Sequence, residues 1–369
     1  MNMIILGIES TAHTFGIGII DDSKIGEKKI LANVKDTFTT KKGGIIPAKA
    51  ADHHVEVCDK ILKDALEIAG DALSKGKSKI ELDSNNKLKL EDVDVIVYSQ
   101  SPGIGHCLRI GAMFARSLAV NYNKPLVGVN HCIAHLEIGR LVTKAKNPVL
   151  LYLSGANTQV IAYEGKKYRI FGETLDMGIG NFLDSFARHL GLGFPGGPVV
   201  EKLASKSKKY IELPYSVKGM DMNFGGMLTN LKQKIESGKF KKEDLCYSVQ
   251  ETSFAMMVEV AERALAHCDK SELLLGGGVA CNKRLQEMCD KMCKARGAKM
   301  FVPANQFLVD NAAMIAWLGL LQFKAGDRLE IKDADIKPYL RTDEIEVKVR
   351  VKNNANEDGL LKSLADHLC

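Results

Sequence analysis

The chain has 369 residues, and 51 Lys and Arg against 45 Asp and Glu give it a formal net charge of +6. At roughly 150 residues per domain, this length predicts two domains. The 46% hydrophobic and 26% charged residues are typical of a globular protein and exclude a mainly disordered or fibrous chain, while the modest charge permits a nucleic-acid partner without indicating one.

The nine cysteines are odd in number and form no CxxC pair, which favours reduced thiols in a cytosolic protein. The first apolar run ends at Glu9, too soon for the apolar core of a secretory leader. No apolar run approaches the roughly 18 to 20 residues that a membrane helix needs. We therefore expect a cytoplasmic protein with no membrane contact, which would also occur in the nucleus if its source is eukaryotic.

Two strand–turn–strand patterns are similar to each other. Residues 3–8 and 15–20 read as strands around a polar turn, and residues 149–153 and 159–163 repeat that pattern. With an offset of 144 positions, four residues coincide: Ser10 with Ser154, Ala12 with Ala156, Thr14 with Thr158, and Ile17 with Ile161.

Later in each half, a buried-type strand leads through a glycine loop into a helix. The first such unit has a strand at 93–97 and a helix at 109–121, and the second has a strand at 271–275 and a helix at 282–294. A hairpin followed by this unit in both halves predicts an α/β chain with an actin-like ATPase (ASKHA) fold, in which two duplicated lobes surround a central cleft. We expect an N-terminal lobe at 1–148 and a C-terminal lobe at 149–344.

The remaining segments are predicted to be connective. A helix at 55–70 precedes a lysine-rich, exposed insertion near 71–91. A tail at 345–369 begins with alternating apolar residues, which favours an edge strand, and then becomes polar.

His131 and His135 have the i, i+4 spacing that places two imidazoles on one helix face, where they could share a cation. Cys132 stands where the zinc-protease motif HExxH has its glutamate. The alternative is that both histidines are surface or packing residues. A shared ion would need further ligands from elsewhere in the chain.

Two residues in apolar surroundings are candidates for those ligands. Asp310 precedes a helix of core composition, and the alternative is that it caps that helix. Tyr152 lies in an apolar strand, where the alternative is an aromatic ring that fills one face.

Several glycine turns could let the backbone approach a phosphate, and the loop Gly276-Gly277-Gly278 before a helix is the best of them. The chain has neither a GxxxxGK[ST] loop nor a strand-coupled GxGxxG, so we expect no P-loop or dinucleotide-type binding. The alternative is that some of these glycines only cap helices and pack strands.

These residues resemble the tRNA threonylcarbamoyl transferase family, historically named O-sialoglycoprotein endopeptidase. The longest matching segment runs from Arg116 to Leu136. The other matching motifs are Gly7-Ile8-Glu9-Ser10-Thr11-Ala12, Ser101-Pro102-Gly103, Leu153-Ser154-Gly155-Ala156-Asn157-Thr158, Gly193-Phe194-Pro195-Gly196-Gly197, Gly276-Gly277-Gly278-Val279-Ala280-Cys281-Asn282 and Arg341-Thr342-Asp343-Glu344.

The resemblance implies two sets of site residues. The metal ligands would be His131, His135, Tyr152 and Asp310, and they would hold one divalent ion, either iron or zinc, with magnesium as a further candidate. Asn157 replaces a histidine of the bacterial pattern, which favours the archaeal or eukaryotic branch. Residues that would bind the threonylcarbamoyl-adenylate are Tyr152, Leu153, Ser154, Gly155, Ala156, Asp184, Gly197, Glu201 and Asn282.

The implied enzyme is a metal-dependent acyltransferase. It would move threonylcarbamoyl from threonylcarbamoyl-AMP to N6 of the adenosine 3′ of the anticodon, in tRNAs that read ANN codons. The resemblance also implies a KEOPS-type complex with accessory subunits and a small kinase-like ATPase, which we expect to be a separate chain. A metalloprotease and an actin-like ATP-binding scaffold are the alternatives.

Overall fold

The computed structural model describes residues 3–40, 44–75, 80 and 82–345. Its strands are β1 (Ile4–Glu9), β2 (Thr14–Asp21), β3 (Ile30–Thr37), β4 (Val95–Ser101), β5 (Leu126–Asn130), β6 (Val149–Leu153), β7 (Thr158–Glu164), β8 (Lys167–Glu173), β9 (Val217–Lys218), β10 (Asp221–Met222), β11 (Glu272–Gly276) and β12 (Lys299–Phe301). Its helices are α1 (Pro47–Ser74), α2 (Gly105–Asn121), α3 (His131–Thr143), α4 (Ile179–His189), α5 (Gly196–Ala204), α6 (Gly225–Glu236), α7 (Lys242–His267), α8 (Lys283–Ala295), α9 (Asn305–Leu308) and α10 (Ala312–Lys324). None of the described helices is both long and apolar enough to cross a bilayer.

Two five-stranded sheets share one topology. The first has the order β3-β2-β1-β4-β5, and the second, read in the same direction, has the order β8-β7-β6-β11-β12. In each sheet the first three strands form an antiparallel meander, and the last two run parallel to the central strand. This equivalence agrees with the duplication that the sequence predicts.

The predicted hairpins agree with the structure to within one residue at each strand end. The helix expected at 55–70 is longer, because Pro47 starts α1 at a position where a missing N–H costs nothing. The exposed insertion expected at 71–91 needs correction. Residues 71–74 belong to α1, and Leu88 is buried in the core of the first lobe. Apart from Ile345, the predicted tail lies outside the described residues.

Helices α3 and α10 form a layer between the two sheets. Helix α3 lies against the second sheet, where Gly139 lets the Leu274 side chain approach the helix backbone. Helix α10 lies against the first sheet, where Gly319 faces Val97. One apolar core joins both sheets and both helices, and it includes Ile5, Val97, Val129, Leu136, Ile138, Leu150, Tyr152, Leu274, Ile315 and Leu320.

The hairpin β1–β2 and the backbone of α10 are in unusually close contact. A Cβ atom on Gly7 would collide with the backbone of Ala316, and one on Gly18 would collide with the backbone of Ala312 and Ala313. Both positions therefore need glycine for steric reasons. Because α10 follows the second sheet in sequence but packs on the first, the lobe bounds 1–148 and 149–344 remain a prediction.

We expect Gly18→Ala to destabilise the protein by about 1 to 3 kcal/mol, because the added methyl group overpacks the contact with α10. Urea unfolding followed by circular dichroism would measure the loss. Gly226→Ala is the matched control, since a Cβ atom at Gly226 meets no other atom. Equal stability of the two variants would contradict the steric argument.

Candidate metal centre

Two buried histidines and one half-buried aspartate converge at one end of the layer between the sheets. His131 and His135 lie on the first two turns of α3, and Asp310 comes from the segment just before α10. The Nε2 atoms of His131 and His135 lie 3.3 Å and 3.5 Å from Asp310 Oδ1. One ligand atom from each residue falls within 4.8 Å of the others, so a single cation could contact all three.

Glu9 orients the first of these histidines. Its Oε2 lies 2.9 Å from Nδ1 of His131, on the side of the ring away from Asp310. The Thr11 hydroxyl and backbone N–H both donate to the other oxygen of Glu9, at 2.5 Å and 2.6 Å. A carboxylate on the second ring nitrogen fixes the tautomer that leaves Nε2 available to a metal.

The charges in the cluster are strongly coupled. Burial alone would lower the pKa of His131, but the carboxylates of Glu9 and Asp310 outweigh it and hold that pKa well above its usual value. Burial would raise the pKa of Asp310, yet the neighbouring His131 charge holds it well below its usual value. Burial lowers the pKa of His135. The two carboxylates therefore favour the charged form of His131, whereas burial favours the neutral form of His135.

This donor set fits a transition-metal ion. Both ring nitrogens of His135 are buried, and neither makes a well-formed hydrogen bond to the described residues, although Nε2 lies 3.5 Å from Asp310 Oδ1. An imidazole nitrogen in this state is available to a metal ion. Two imidazoles and one carboxylate suit iron or zinc better than magnesium, which prefers oxygen ligands.

Tyr152 borders the cluster at the end of β6. Its ring centroid lies 5.1 Å from that of His135, and burial raises the pKa of its hydroxyl well above the usual value. The ring also belongs to the core between the sheets, so the packing role offered as the alternative is present too.

Asp310 does not cap the helix that follows it. Asn311 is the N-cap of α10, and its side chain accepts a hydrogen bond from the Met314 N–H. The Asp310 carboxylate is therefore free to face the histidines. The Asp310 carbonyl accepts a hydrogen bond of 2.7 Å from Lys35 Nζ, and burial lowers the pKa of this lysine.

The glycine turns of the second lobe pack closely around the end of β6. Gly277, with a φ of +87°, lies so close to Leu153 that only glycine fits. A Cβ atom on Gly178 or Gly180 would collide with the backbone of the turn that contains Gly155. In the first lobe, the Ile104 N–H donates to the Thr11 carbonyl at 2.7 Å. These contacts fix the turns that follow β1 and β6.

The structure places the other predicted adenylate residues around α5 and α8. Asp184 accepts a 2.7 Å hydrogen bond from the Gly196 N–H, next to Gly197, and burial raises its pKa. Glu201 accepts a 2.8 Å bond from the Lys283 N–H at the start of α8. The side chain of Asn282 is buried; it caps α8 and donates to Gln250 at 2.7 Å.

Three residues near the cluster had no role in the sequence reasoning. Glu9 is an acid at the end of an apolar strand, and this pattern could have indicated a functional residue. His13 lies in the turn after β1, within electrostatic range of both Asp184 and Asp310. Lys35 is an isolated cation in β3 and gives no signal in the sequence.

A family model described as TsaD, tRNA N6-adenosine threonylcarbamoyltransferase, matches residues 29–317. A protein of that name from Thermococcus kodakarensis is 55% identical over 345 residues, which cover 94% of this chain and 99% of the relative. The chain belongs to this family. The predicted family and the predicted transferase class are thereby confirmed.

A relative from Methanocaldococcus jannaschii is named as a probable bifunctional tRNA threonylcarbamoyladenosine biosynthesis protein. It is 47% identical over 345 residues, which cover 94% of this chain but only 60% of the relative. These family members are archaeal, in agreement with the branch that Asn157 favours.

Solved structures confirm the fold. HypF from T. kodakarensis superposes with a TM-score of 0.59 at 14% identity, over 88% of this chain and 48% of HypF. Component A of the (R)-2-hydroxyglutaryl-CoA dehydratase from Acidaminococcus fermentans has a TM-score of 0.51 at 14% identity, over 87% of this chain and 98% of that protein. The actin-like ATPase fold expected from the sequence is correct.

We expect Glu9→Gln to weaken metal binding by about 10- to 100-fold, because a neutral amide makes the His131 imidazole a weaker ligand and can present either its oxygen or its nitrogen to Nδ1. Titration of chelator-treated protein with Zn²⁺ would measure the affinity. Glu27→Gln, which changes an exposed acid, is the control. Identical affinities in both variants would show that Glu9 has no part in metal binding.

Proposed function

We propose that this chain transfers the threonylcarbamoyl group from threonylcarbamoyl-AMP to N6 of the adenosine 3′ of the anticodon, in tRNAs that read ANN codons. The observation that carries this proposal is the cluster of His131, His135 and Asp310. It lies near the ends of β1 and β6, from which the turns of the two lobes extend. The names of its archaeal relatives support it.

The proposed reaction does not require the protein to form a covalent bond with the donor. The donor is a mixed carbamate–phosphate anhydride and is already activated, so the chain must orient the amine and stabilise the charge that develops on the phosphate. A bound metal ion would supply Lewis acidity. The side chains of the cluster would hold that ion, and Glu9 would hold His131 in position.

We assign the metal to His131, His135 and Asp310, with the Tyr152 hydroxyl as a further ligand. The nitrogen and oxygen donors favour iron or zinc. Tyr152 would serve in its ionised form only beside a cation, since burial otherwise opposes ionisation. Elemental analysis of protein purified without chelators would identify the ion.

The adenylate would bind beside this centre. Leu153 ends β6, and Ser154 to Ala156 begin the turn that follows it. The backbone of these residues would face the phosphate end of the donor. Asp184 and Glu201 would accept hydrogen bonds from ribose hydroxyls, since the carboxylate oxygens of each can accept more bonds than those from the backbone. The space around Gly197 Cα is open, and Asn282 would line the adenylate site at the start of α8.

The protease alternative has less support. Glu137 is the acid that follows the histidines on α3, and it is held by Tyr168 and by Arg140 Nη1, the latter at 2.7 Å. A general base for peptide hydrolysis would need to face a metal-bound water instead. The scaffold alternative rests only on the fold, which names no reaction.

We also propose that the chain works in a KEOPS-type complex in the cytoplasm, with accessory subunits and a kinase-like ATPase on another chain. The names of the bifunctional relatives couple this activity to a second one. The net charge of +6 is small for an enzyme that binds tRNA without partner subunits.

Replacement of His131 by alanine should reduce transfer at least 100-fold, because the metal loses a ligand. Purified protein, threonylcarbamoyl-AMP and unmodified tRNA would be incubated together with the partner subunits, and the modified nucleoside measured by mass spectrometry. His267→Ala, at the far end of α7, is the control. Normal transfer by metal-free His131→Ala would refute the proposed role of the metal, and nucleotide hydrolysis without transfer would favour the scaffold.

The isolated chain should bind tRNA weakly, and its affinity should fall steeply as salt increases, because phosphate contacts release counterions. Fluorescence titration between about 50 and 200 mM salt would measure the slope. Tight binding that salt leaves unchanged would argue against a need for partner subunits.

A further inference from the structure

Lys35 is a half-buried cation beside the metal cluster with no ion-pair partner among the described residues. It lies on β3, and its ammonium group donates one hydrogen bond, to the main-chain carbonyl of Asp310 at 2.7 Å. An ammonium group has three donors, so two remain for another acceptor. A cation removed from water in this way is costly unless an anion accompanies it.

The fold directs this side chain toward the start of α10. Lys35 is paired with Gly16 of β2, and a Cβ atom on Gly16 would lie 3.3 Å from Lys35 Cβ and 3.4 Å from Ala312 Cβ. The absence of a side chain at Gly16 therefore leaves a passage for the lysine stem between β2 and α10.

The ammonium group also lies near residues from both predicted parts of the site. It lies within electrostatic range of Asp310 and Glu9 in the metal cluster and of the Cys281 thiol. Cys281 ends the turn that follows the loop Gly276 to Gly278, and it is also within electrostatic range of Glu201. Lys35 is thus close both to the metal cluster and to the Cys281 turn, which leads to the predicted adenylate residue Asn282.

We propose that Lys35 binds the phosphate of the adenylate and stabilises the AMP that leaves. This inference rests on the proposed function. During transfer, a bond forms between adenosine N6 and the carbamoyl carbon, and the bond from that carbon to the phosphate oxygen breaks. Its electron pair stays on AMP, and the proton that N6 loses passes to solvent water. The phosphate gains negative charge in this step, so a fixed cation stabilises the transition state more than the bound donor.

A purely structural role is the competing explanation. Lys35 could act only as a tether that holds Asp310 in place through its carbonyl. Lys35→Gln separates the two roles, because glutamine keeps a hydrogen-bond donor but has no charge. Lys35→Met removes both. Lys242→Met is the matched control, since Lys242 Nζ also donates to a main-chain carbonyl, that of Leu190, at 2.9 Å.

The experiment measures the affinity of the full chain for AMP and for adenosine by calorimetry, together with metal content and thermal unfolding of each variant. Both Lys35 variants should bind AMP about tenfold or more weakly than the wild type, the range expected when a charged hydrogen bond is lost. Their affinity for adenosine and the metal content of Lys35→Gln should not change. Lys242→Met should match the wild type.

AMP binding by Lys35→Gln at wild-type strength would overturn the proposal. Equal weakening of AMP and adenosine, or loss of metal from Lys35→Gln, would also overturn it, in favour of a tether. If the wild type itself binds AMP no better than adenosine, the adenylate site of the proposed function fails as well, which separates that failure from one confined to Lys35.

Discussion

The contact between α10 and the hairpin β1–β2 determines where the site residues lie. Glycine at positions 7 and 18 lets two backbones approach without side chains between them. Helix α10 then starts at a fixed place, and Asn311 takes the cap so that Asp310 faces α3. Close packing of this kind transmits small displacements, so a shift of α10 would change the distances from Asp310 to both histidines.

The buried charges of the site depend on one another in the same way. His131 lies between Glu9 and Asp310, and each of the two carboxylates stabilises the charged imidazole that burial opposes. Removal of one of these three side chains would leave an uncompensated charge in a site of low exposure. The resulting loss of folding stability exceeds the stability that the intact group of charges contributes. A divalent cation at the histidine Nε2 atoms would satisfy the same carboxylates while releasing the imidazole proton.

Local patterns predicted the hairpins and the two strand–loop–helix units well, because alternation and glycine turns are visible over a few residues. The third strand of each meander was missed, since β3 (Ile30–Thr37) is mostly half-buried and has no clear alternation. The spacing of His131 and His135 in the sequence predicted that they lie together. The sequence could not predict that Asp310 faces them, because this depends on which of two neighbouring polar residues caps α10. Lys35 could not be found either, since its position beside Asp310 arises from packing across 275 residues of sequence.

The layer of α3 and α10 also bears on how the molecule could be divided. The inner face of the first sheet is covered by α10, a helix near the end of the described chain. The inner face of the second sheet is covered by α3, from the first half. An N-terminal half made alone would expose Ile5, Val97 and Val129, and a C-terminal half would expose Leu150 and Leu274. The two halves repeat one topology, yet each needs a helix from the other to bury its inner face, so they form a single folding unit that fragments could rebuild only by association.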